Sequence, residues 1–305
     1  YKDVYVNLTL CALNTTKIKL GTCITDPYSR HPALTAVAIA TLDEVSKRRA
    51  VLGMGAGVSG LATMGIKRQS PAVAIKEAIK VIRDLLSGKT VNFDGKIIKF
   101  KGGKLNFKAR SNIPIYVAAR GPKILEVGGE IADGVIIGSF ASKEGLNYAL
   151  DRIKTGVMKA GKKMEGVYKV SWVYCSISED EKEAKQAVKR GVAVALWGSM
   201  PILDKIGIKK YMPQPLLEYM EKTSYSLSED VITKAMKLLP DKIVDKFSIA
   251  GTSEECMKKV DEIFRLGIKQ IAIWPFPRPN EDVIDVIKTF ANEVIPHFED
   301  RSFDL

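Results

Sequence analysis

Apolar residues along this chain follow two patterns, one with helical spacing and one with the continuity of a buried strand. Leu34, Val37, Ala38, Leu42 and Val45 fall on one face of a helix that we expect to start at Pro32. Short apolar runs between such segments predict strands. The predicted strands are KIKLGTCI (17–24), AVLGMG (50–55), IPIYVAAR (113–120), DGVIIGS (133–139), YKVSWVYCSIS (168–178) and IKQIAIWPF (268–276).

Helical segments are predicted between these strands and at both ends of the chain. They cover residues 3–13, the segment from Pro32, the apolar positions between Ile75 and Leu86, the segment from Pro122, residues 143–161, the segment after Ser178, residues 256–266 and the segment from Asn280. Two helices are expected to begin with a capping box, one formed by Ser178 with Glu181 and one by Thr252 with Glu255. Asp94-Gly95 predicts a two-residue hairpin turn within VNFDGKIIKF.

The alternation of strands and helices predicts a parallel α/β fold with right-handed crossovers. A closed (β/α)8 barrel and an open doubly wound sheet both satisfy this pattern. About six strand–helix units are visible, whereas a barrel needs eight. We therefore expect one or two N-terminal units to be missing from the sequence. Residues 198–250 contain four prolines among short helical pieces, and we interpret them as an insertion or lid within one domain spanning residues 1–305.

A glycine-rich loop follows the second predicted strand, in the segment AVLGMGAGVSG from Ala50 to Gly60. Glycines directly after a strand permit positive φ and close approach of a bound group, often a phosphate, although a simple strand-to-helix turn explains them as well. Similar small-residue loops follow LGTCI, IYVAA and VIIG. A dinucleotide-binding site is disfavoured, because that motif must open a helix, whereas the residues after Gly57, VSGLATMGIKRQSP, have the pattern of a loop. The repeated loops predict a ligand site at one end of parallel strands.

Composition narrows the classes of protein to be considered. The 305 residues are 46% hydrophobic and 27% charged, as in globular proteins, and no apolar run is long enough for a membrane span. Scattered cysteines and the lack of a secretory signal predict a cytoplasmic protein. The formal charge of +12 is spread among acidic residues, which disfavours nucleic acid and suits an anionic small ligand. Abundant lysine and scarce glutamine are typical of heat-adapted proteins, so we expect a thermophile.

The sequence offers few side chains for acid–base or metal chemistry. His31 stands just beyond a strand, where it could act as a general acid or base, but we favour a structural role in holding the loop before the helix. His297 is expected to lie at the surface. No catalytic triad and no metal-ligand spacing is present, so no metal site is predicted.

Several of these segments together resemble one known family. They are LGTCITDPYSRHPALTAVAIATLDEVSKRRAVLGMGAG (20–57), FDGKIIKF, IPIYVAARGPKILEVGGEIADGVIIGS (113–139) and IAGTSEECMKKVDEIFRLGIKQIAIWP (249–275). The chain resembles the bacterial-luciferase-like superfamily in its coenzyme F420-dependent branch, and most of all the methylenetetrahydromethanopterin reductases. The resemblance covers most of the chain in the family's order.

This resemblance implies a (β/α)8 TIM barrel with its cofactor at the carboxyl ends of the strands. It implies a cis peptide between Cys23 and Ile24, in a bulge against the deazaflavin ring. The loop around Arg120 and Lys123 matches the family's phosphate-binding motif, and helix N-terminal N–H groups suit that role. The implied cofactor-binding residues are Thr22, Cys23, Ile24, Gly55, Ala56, Gly57, Ala119, Arg120, Gly121, Lys123 and Ser139.

One departure from the family affects the substrate. The related reductases carry GPGD after this strand, whereas the matching residues here are Gly55-Ala56-Gly57-Val58. The resemblance implies an F420-dependent oxidoreductase that transfers a hydride between the deazaflavin and a small organic substrate, acting as a homo-oligomer. Two alternatives stay open: an FMN-dependent luciferase-like monooxygenase, and a degenerate barrel that binds a flavin without turnover.

Overall fold

The computed structural model describes residues 2–57, 60–223 and 228–298, which form two compact units. The first unit contains the described residues up to Ile136 together with Arg152–Val167, and the second contains Ile137–Asp151 and the described residues from Tyr168 onwards. In chain order the elements are α1 (Val4–Asn14), β1 (Leu20–Gly21), α2 (Pro32–Val45), β2 (Ala50–Gly55), α3 (Pro71–Leu86), β3 (Val91–Asp94), β4 (Lys99–Gly103), β5 (Ile115–Ala119), α4 (Pro122–Ile131), β6 (Gly134–Gly138), α5 (Lys143–Lys159), β7 (Tyr168–Ile177), α6 (Glu181–Ser199), α7 (Gln214–Lys222), α8 (Glu229–Leu238), α9 (Asp241–Phe247), β8 (Ser248–Gly251), α10 (Ser253–Arg265), β9 (Gln270–Pro275) and α11 (Val283–Thr289).

Parallel strands form the centre of the first unit. β1 pairs with β2 in the register Leu20↔Ala50, and β2 pairs with β5 in the register Leu52↔Ile115. Apolar side chains of α2 and α3 pack against these strands in one hydrophobic core. Asp43 of α2 fixes the start of β2, because its buried carboxylate accepts hydrogen bonds from Arg110 at 2.6 and 2.8 Å and from the Ala50 amide at 3.2 Å. The predicted parallel α/β arrangement is confirmed in this unit.

Parallel strands also form the centre of the second unit, where β7 pairs with both β8 and β9. The registers are Tyr174↔Ser248 and Val170↔Gln270. The segment predicted as an insertion contains α7, α8 and α9, which confirms its short helical pieces. Its role as a lid, the single domain, the closed barrel and the missing N-terminal units stay predictions.

Local chemistry explains several differences from the predicted elements. The strand predicted over 17–24 is ladder-paired only at Leu20–Gly21, because the chain leaves the sheet at Thr22. The two-residue turn at Asp94-Gly95 is wrong: Asp94 pairs with Lys99, and the Gly95 amide donates to the Ile98 carbonyl across a longer loop. The hairpin itself is confirmed.

Some helices start where the sequence predicts, and others start at a different residue. The helix starts at Pro32 and Pro122 are confirmed, as is the Thr252–Glu255 capping box. The Ser178–Glu181 box is wrong, because Asp180 caps α6 by accepting from the Lys182 amide. The last α-helix begins at Val283 rather than at Asn280, since Asp282 supplies its cap, and it continues as a π-helix over Phe290–Val294.

Candidate cofactor site

The chain bulges out of the sheet between β1 and an isolated bridge at Thr25. Thr22 replaces the missing ladder bonds with its buried hydroxyl, which donates to the Gly53 carbonyl at 2.7 Å and accepts from the Gly53 amide at 3.0 Å. Thr25 then rejoins β2, because its amide donates to Gly53 and its carbonyl accepts from Gly55. The segment Thr22–Ile24 is therefore anchored to β2 at both ends.

Within this bulge the peptide bond between Cys23 and Ile24 is cis, as the resemblance implied. Both residues are exposed and border a surface cavity of about 310 Å³ that is also lined by Asn7, Leu8 and Cys11 of the first helix. Protein atoms around the Cys23 thiol desolvate it and raise its pKa to about 11. The bulge thus contributes the apolar side chain of Ile24 and a thiol that is protonated at neutral pH to the border of this cavity.

The glycines of β2 are explained by the bulge that lies on them. A Cβ at Gly53 would lie well inside van der Waals distance of the Thr22 carbonyl oxygen, and one at Gly55 would overlap the Ile24 side chain. The first contact is with backbone, which cannot move aside, whereas the second is with a flexible side-chain end. The sequence pattern pointed to close approach of a ligand, but at these two positions the approaching group is the protein's own bulge.

The loop after β2 continues the same edge. Gly57 has a φ of +58°, and a Cβ there would press on Asp26 and Leu61 at 3.0 Å. Its carbonyl accepts a hydrogen bond from Arg68 at 3.0 Å, and Ala56 packs against the core. The departure from the family at Val58 lies outside the described residues.

The N-terminus of α4 follows β5 directly beside this loop, because Gly55 and Ala118 are register partners. Gly121 is the N-cap residue, no side chain caps the helix, and Pro122 occupies its first turn. The space where a Gly121 Cβ would stand is open, and Lys123 is exposed in the first turn. Free N–H groups, the positive helix end and the cations Arg120 and Lys123 fit an anionic group such as a phosphate.

Ser139 belongs to the second unit, unlike the other predicted cofactor-binding residues. It is fully buried with a φ of +60°, and its amide donates to the Trp172 carbonyl at 2.6 Å. The structure therefore brings together the predicted residues of the first unit, from the Thr22–Ile24 bulge through Gly55–Gly57 to the start of α4.

An aromatic cluster in the second unit was not predicted from the sequence. It contains Trp172 and Tyr174 of β7, Trp274 of β9 and Phe276 just beyond that strand. Ring centroids are 5.1 Å apart for Trp172–Trp274, 5.9 Å for Tyr174–Trp274 and 5.4 Å for Tyr174–Phe276. Trp274 is 39% exposed. The alternating aromatics in WVY and WPF, two residues apart on neighbouring strands, were the signal available in the sequence.

The two histidines behave as structural and surface residues. His31 is the N-cap of α2, with its Nδ1 accepting from the Ala33 amide at 3.1 Å and its Nε2 lying 3.1 Å from the Lys99 carbonyl. This geometry supports the structural interpretation of His31. His297 is exposed, as predicted.

The described residues contain neither a candidate metal cluster nor a candidate membrane span. Within residues 2–57, 60–223 and 228–298, no group of three or more His, Cys, Asp or Glu side chains could hold a metal ion. No helix in the described part of the chain is long and apolar enough to cross a membrane.

Comparison with known proteins gives the family. The family model described as luciferase-like monooxygenase matches residues 1–270, and the chain belongs to this family. A 5,10-methylenetetrahydromethanopterin reductase from Methanolobus tindarius is 37% identical over 297 residues, covering 96% of this chain and 88% of the relative. The enzyme of the same name from Archaeoglobus fulgidus is 35% identical, covering 97% and 87%.

A solved structure shows the same fold at comparable identity. The coenzyme F420-dependent tetrahydromethanopterin reductase from Methanopyrus kandleri superposes with a TM-score of 0.83 and is 32% identical, covering 98% of this chain and 88% of that structure. The superfamily implied by the sequence motifs is therefore confirmed.

Proposed function

We propose that this protein is an F420-dependent oxidoreductase that transfers a hydride between the deazaflavin and a small organic substrate, most like methylenetetrahydromethanopterin reductase. The main observation behind this proposal is the Thr22–Ile24 bulge, which is hydrogen-bonded to β2. The N-terminus of α4 follows the neighbouring strand, has no side-chain cap and carries the cations Arg120 and Lys123. The named relatives support the same cofactor and reaction class.

Each part of the site takes a distinct role in this proposal. Thr22, Cys23 and Ile24 would hold the ring of the cofactor, and the hydrogen bonds between Thr22 and Gly53 fix this segment on β2. Gly55, Ala56 and Gly57 border the cofactor's side chain, while Ala119, Arg120, Gly121 and Lys123 bind its phosphate.

F420, when bound, supplies the hydride-carrying ring. The protein's own contribution is then placement, because hydride transfer mainly requires two carbon atoms held face to face. No general acid or base is assigned.

An FMN-dependent monooxygenase is the second candidate, and the description of the matching family model favours it. Titration with each cofactor distinguishes this candidate from the F420-dependent oxidoreductase. As further proposals, the resemblance implies that the strands close into a (β/α)8 barrel and that the protein is a homo-oligomer. The cysteine pattern and the composition imply a cytoplasmic protein from a heat-adapted source.

Parallel titrations of the purified protein with F420 and with FMN test the proposed function, followed by absorbance and fluorescence of each cofactor. Under anaerobic conditions we expect saturable binding of F420, oxidation of reduced F420 by methylenetetrahydromethanopterin, and reduction of F420 by the reduced product of that substrate. Binding of FMN alone with oxygen uptake would favour the monooxygenase. Binding of a cofactor without any turnover would favour the degenerate barrel, and binding of neither cofactor would overturn all three candidates.

A further inference from the structure

The second unit holds a surface pocket of about 290 Å³ that is lined by Tyr211, Lys242, Asp245, Lys246 and Lys259. Three of these residues come from α9, Lys259 comes from α10, and Tyr211 ends a short 3₁₀ helix. The volume is close to the lower end of the range for small-molecule sites, about 300 Å³. Three of the five lining side chains carry a positive charge.

Lys246 reaches this pocket from a largely buried position, with 19% of its side chain exposed. Its Nζ lies 3.3 Å from the Glu144 carboxylate and 5.3 Å from the centre of the Tyr211 ring. Lys210 lies 5.0 Å from the centre of the same ring. Two cations therefore share one aromatic wall, and the Glu144 carboxylate pairs with Lys246.

Lys259 is a half-buried cation with one distant carboxylate partner. Its side chain is 23% exposed, and its nearest carboxylate, that of Glu262, lies 3.9 Å away, beyond hydrogen-bond distance. Burial lowers the pKa of Lys259, the neighbouring Lys246 lowers it further, and Glu262, Asp245 and Glu144 act in the opposite direction. The charged form of Lys259 thus lacks a close partner in the protein.

The pocket's own aspartate does not supply that partner. Asp245 is engaged by Lys185 at 2.8 Å, and Lys185 also pairs with Glu181. Within the described part of the chain, Lys242 makes no ion pair. Lys242 and Lys259 therefore line the pocket, and in the described part of the chain neither has a carboxylate within hydrogen-bond distance of its ammonium group.

We infer that this pocket binds a phosphate-bearing small molecule through Lys242, Lys246 and Lys259, with Tyr211 as its wall. Lysine ammonium groups form strong charge-assisted hydrogen bonds with phosphate oxygens. A bound dianion also favours the protonated form of Lys259, so binding raises the pKa of this residue. The inference does not depend on the proposed hydride transfer, since every residue belongs to the second unit and no cofactor is involved.

Isothermal titration calorimetry of the whole protein with pyrophosphate, at constant ionic strength, tests the inference. Lys259→Gln and Lys246→Gln should each weaken pyrophosphate binding at least tenfold. Lys258→Gln is the matched control, because the neighbouring Lys258 is 69% exposed, pairs with Glu254 at 2.8 Å and does not line the pocket. Circular dichroism melting curves of all three variants report whether the fold is retained.

A measurement on the unmutated residues covers the case in which a variant does not fold. Reductive methylation with ¹³C-formaldehyde labels the lysines for NMR, and pyrophosphate should raise the pKa of the Lys259 signal but leave that of Lys258 unchanged. If Lys258→Gln and Lys259→Gln weaken pyrophosphate binding equally, the binding comes from the general attraction of a basic protein for an anion. That result would overturn the inference. Absence of binding heat, or of any pKa change at Lys259, would overturn it as well.

Discussion

Gly53 has no room for a side chain, because a Cβ there would collide with the Thr22 carbonyl of the bulge. We expect Gly53→Ala to lower the free energy of unfolding by about 1–3 kcal/mol, as overpacking of a rigid core does. The bulge must shift to accommodate the methyl group, so F420 binding should weaken in the same variant. Urea unfolding and cofactor titration measure the two effects.

Gly166 provides the matched control for this substitution. It is exposed, and a Cβ there would meet no atom within 4 Å. Gly166→Ala should therefore change the free energy of unfolding by no more than about 0.5 kcal/mol. Equal stability of the two variants would show that β2 and the bulge are not in the close contact described above.

Cys23 is expected to react slowly despite its exposure. The thiolate is the nucleophile, and with a pKa of about 11 the thiol stays protonated at neutral pH. In a Cys11→Ser background, alkylation of Cys23 by iodoacetamide should accelerate about tenfold per pH unit between pH 7 and 10. Bound F420 should slow it. Peptide mass spectrometry follows the rate, and a rate independent of pH would contradict the raised pKa.

Residue-level prediction from the sequence succeeded where the residue type restricts the backbone. Gly57 was expected to permit positive φ, and it has a φ of +58°. The partner of a glycine was not predictable, because Gly53 and Gly55 pack on Thr22 and Ile24, some thirty residues away in sequence. The cis bond at Cys23-Ile24 followed from the family resemblance and not from the local residues.

At the scale of elements, the start of α4 is the part of the proposed site with the clearest electrostatic role. Lys123 is exposed at a helix start that no side chain caps. Lys123→Gln should weaken F420 binding about tenfold, since it removes one charge-assisted contact to phosphate, and should leave the melting temperature unchanged. Fluorescence titration measures the binding.

Lys162 is a suitable control for this element, because it is exposed in the same unit and outside the proposed site. Lys162→Gln should bind F420 as the unmodified protein does. If both substitutions reduce affinity equally, the effect comes from the overall charge of +12 and not from a phosphate site at α4.

Helix boundaries were predictable from the sequence where a proline or a single capping residue fixes the first turn. Pro32 and Pro122 begin helices as expected, because proline fits the first turn and not the interior. The cap of α6 was misassigned, since Ser178 and Asp180 are both good caps and only tertiary packing selects between them. The loop after Asp94 was too short in the prediction, because Glu77 of α3 accepts from the Lys96, Ile97 and Ile98 amides and stabilises a longer turn.

For the molecule as a whole, the alternation of patterns predicted parallel strands but not the partners of each strand. β7 pairs with β8 near its end and with β9 along its middle, an arrangement that no local pattern encodes. The aromatic cluster was missed for the same reason, because Trp172 and Trp274 meet only through this pairing. Long-range pairing is thus the part of the fold that hydrophobic periodicity leaves open.

Several apolar side chains of α1 and α2 are exposed at the surface. Three side chains of α1 are exposed at helical spacing, Val6 (60%), Leu10 (55%) and Leu13 (70%), and Leu34, Val37 and Val45 of α2 are exposed as well. Contiguous exposed apolar side chains of this kind mark association surfaces. We expect the protein to be a homo-oligomer in light scattering coupled to gel filtration, and Leu10→Lys to convert it to monomer, because a charge would be buried without a partner. Met158→Lys, at a 70% exposed position on α5, should leave the assembly intact. A monomeric unmodified protein at micromolar concentration would contradict this assignment and leave these faces for another partner.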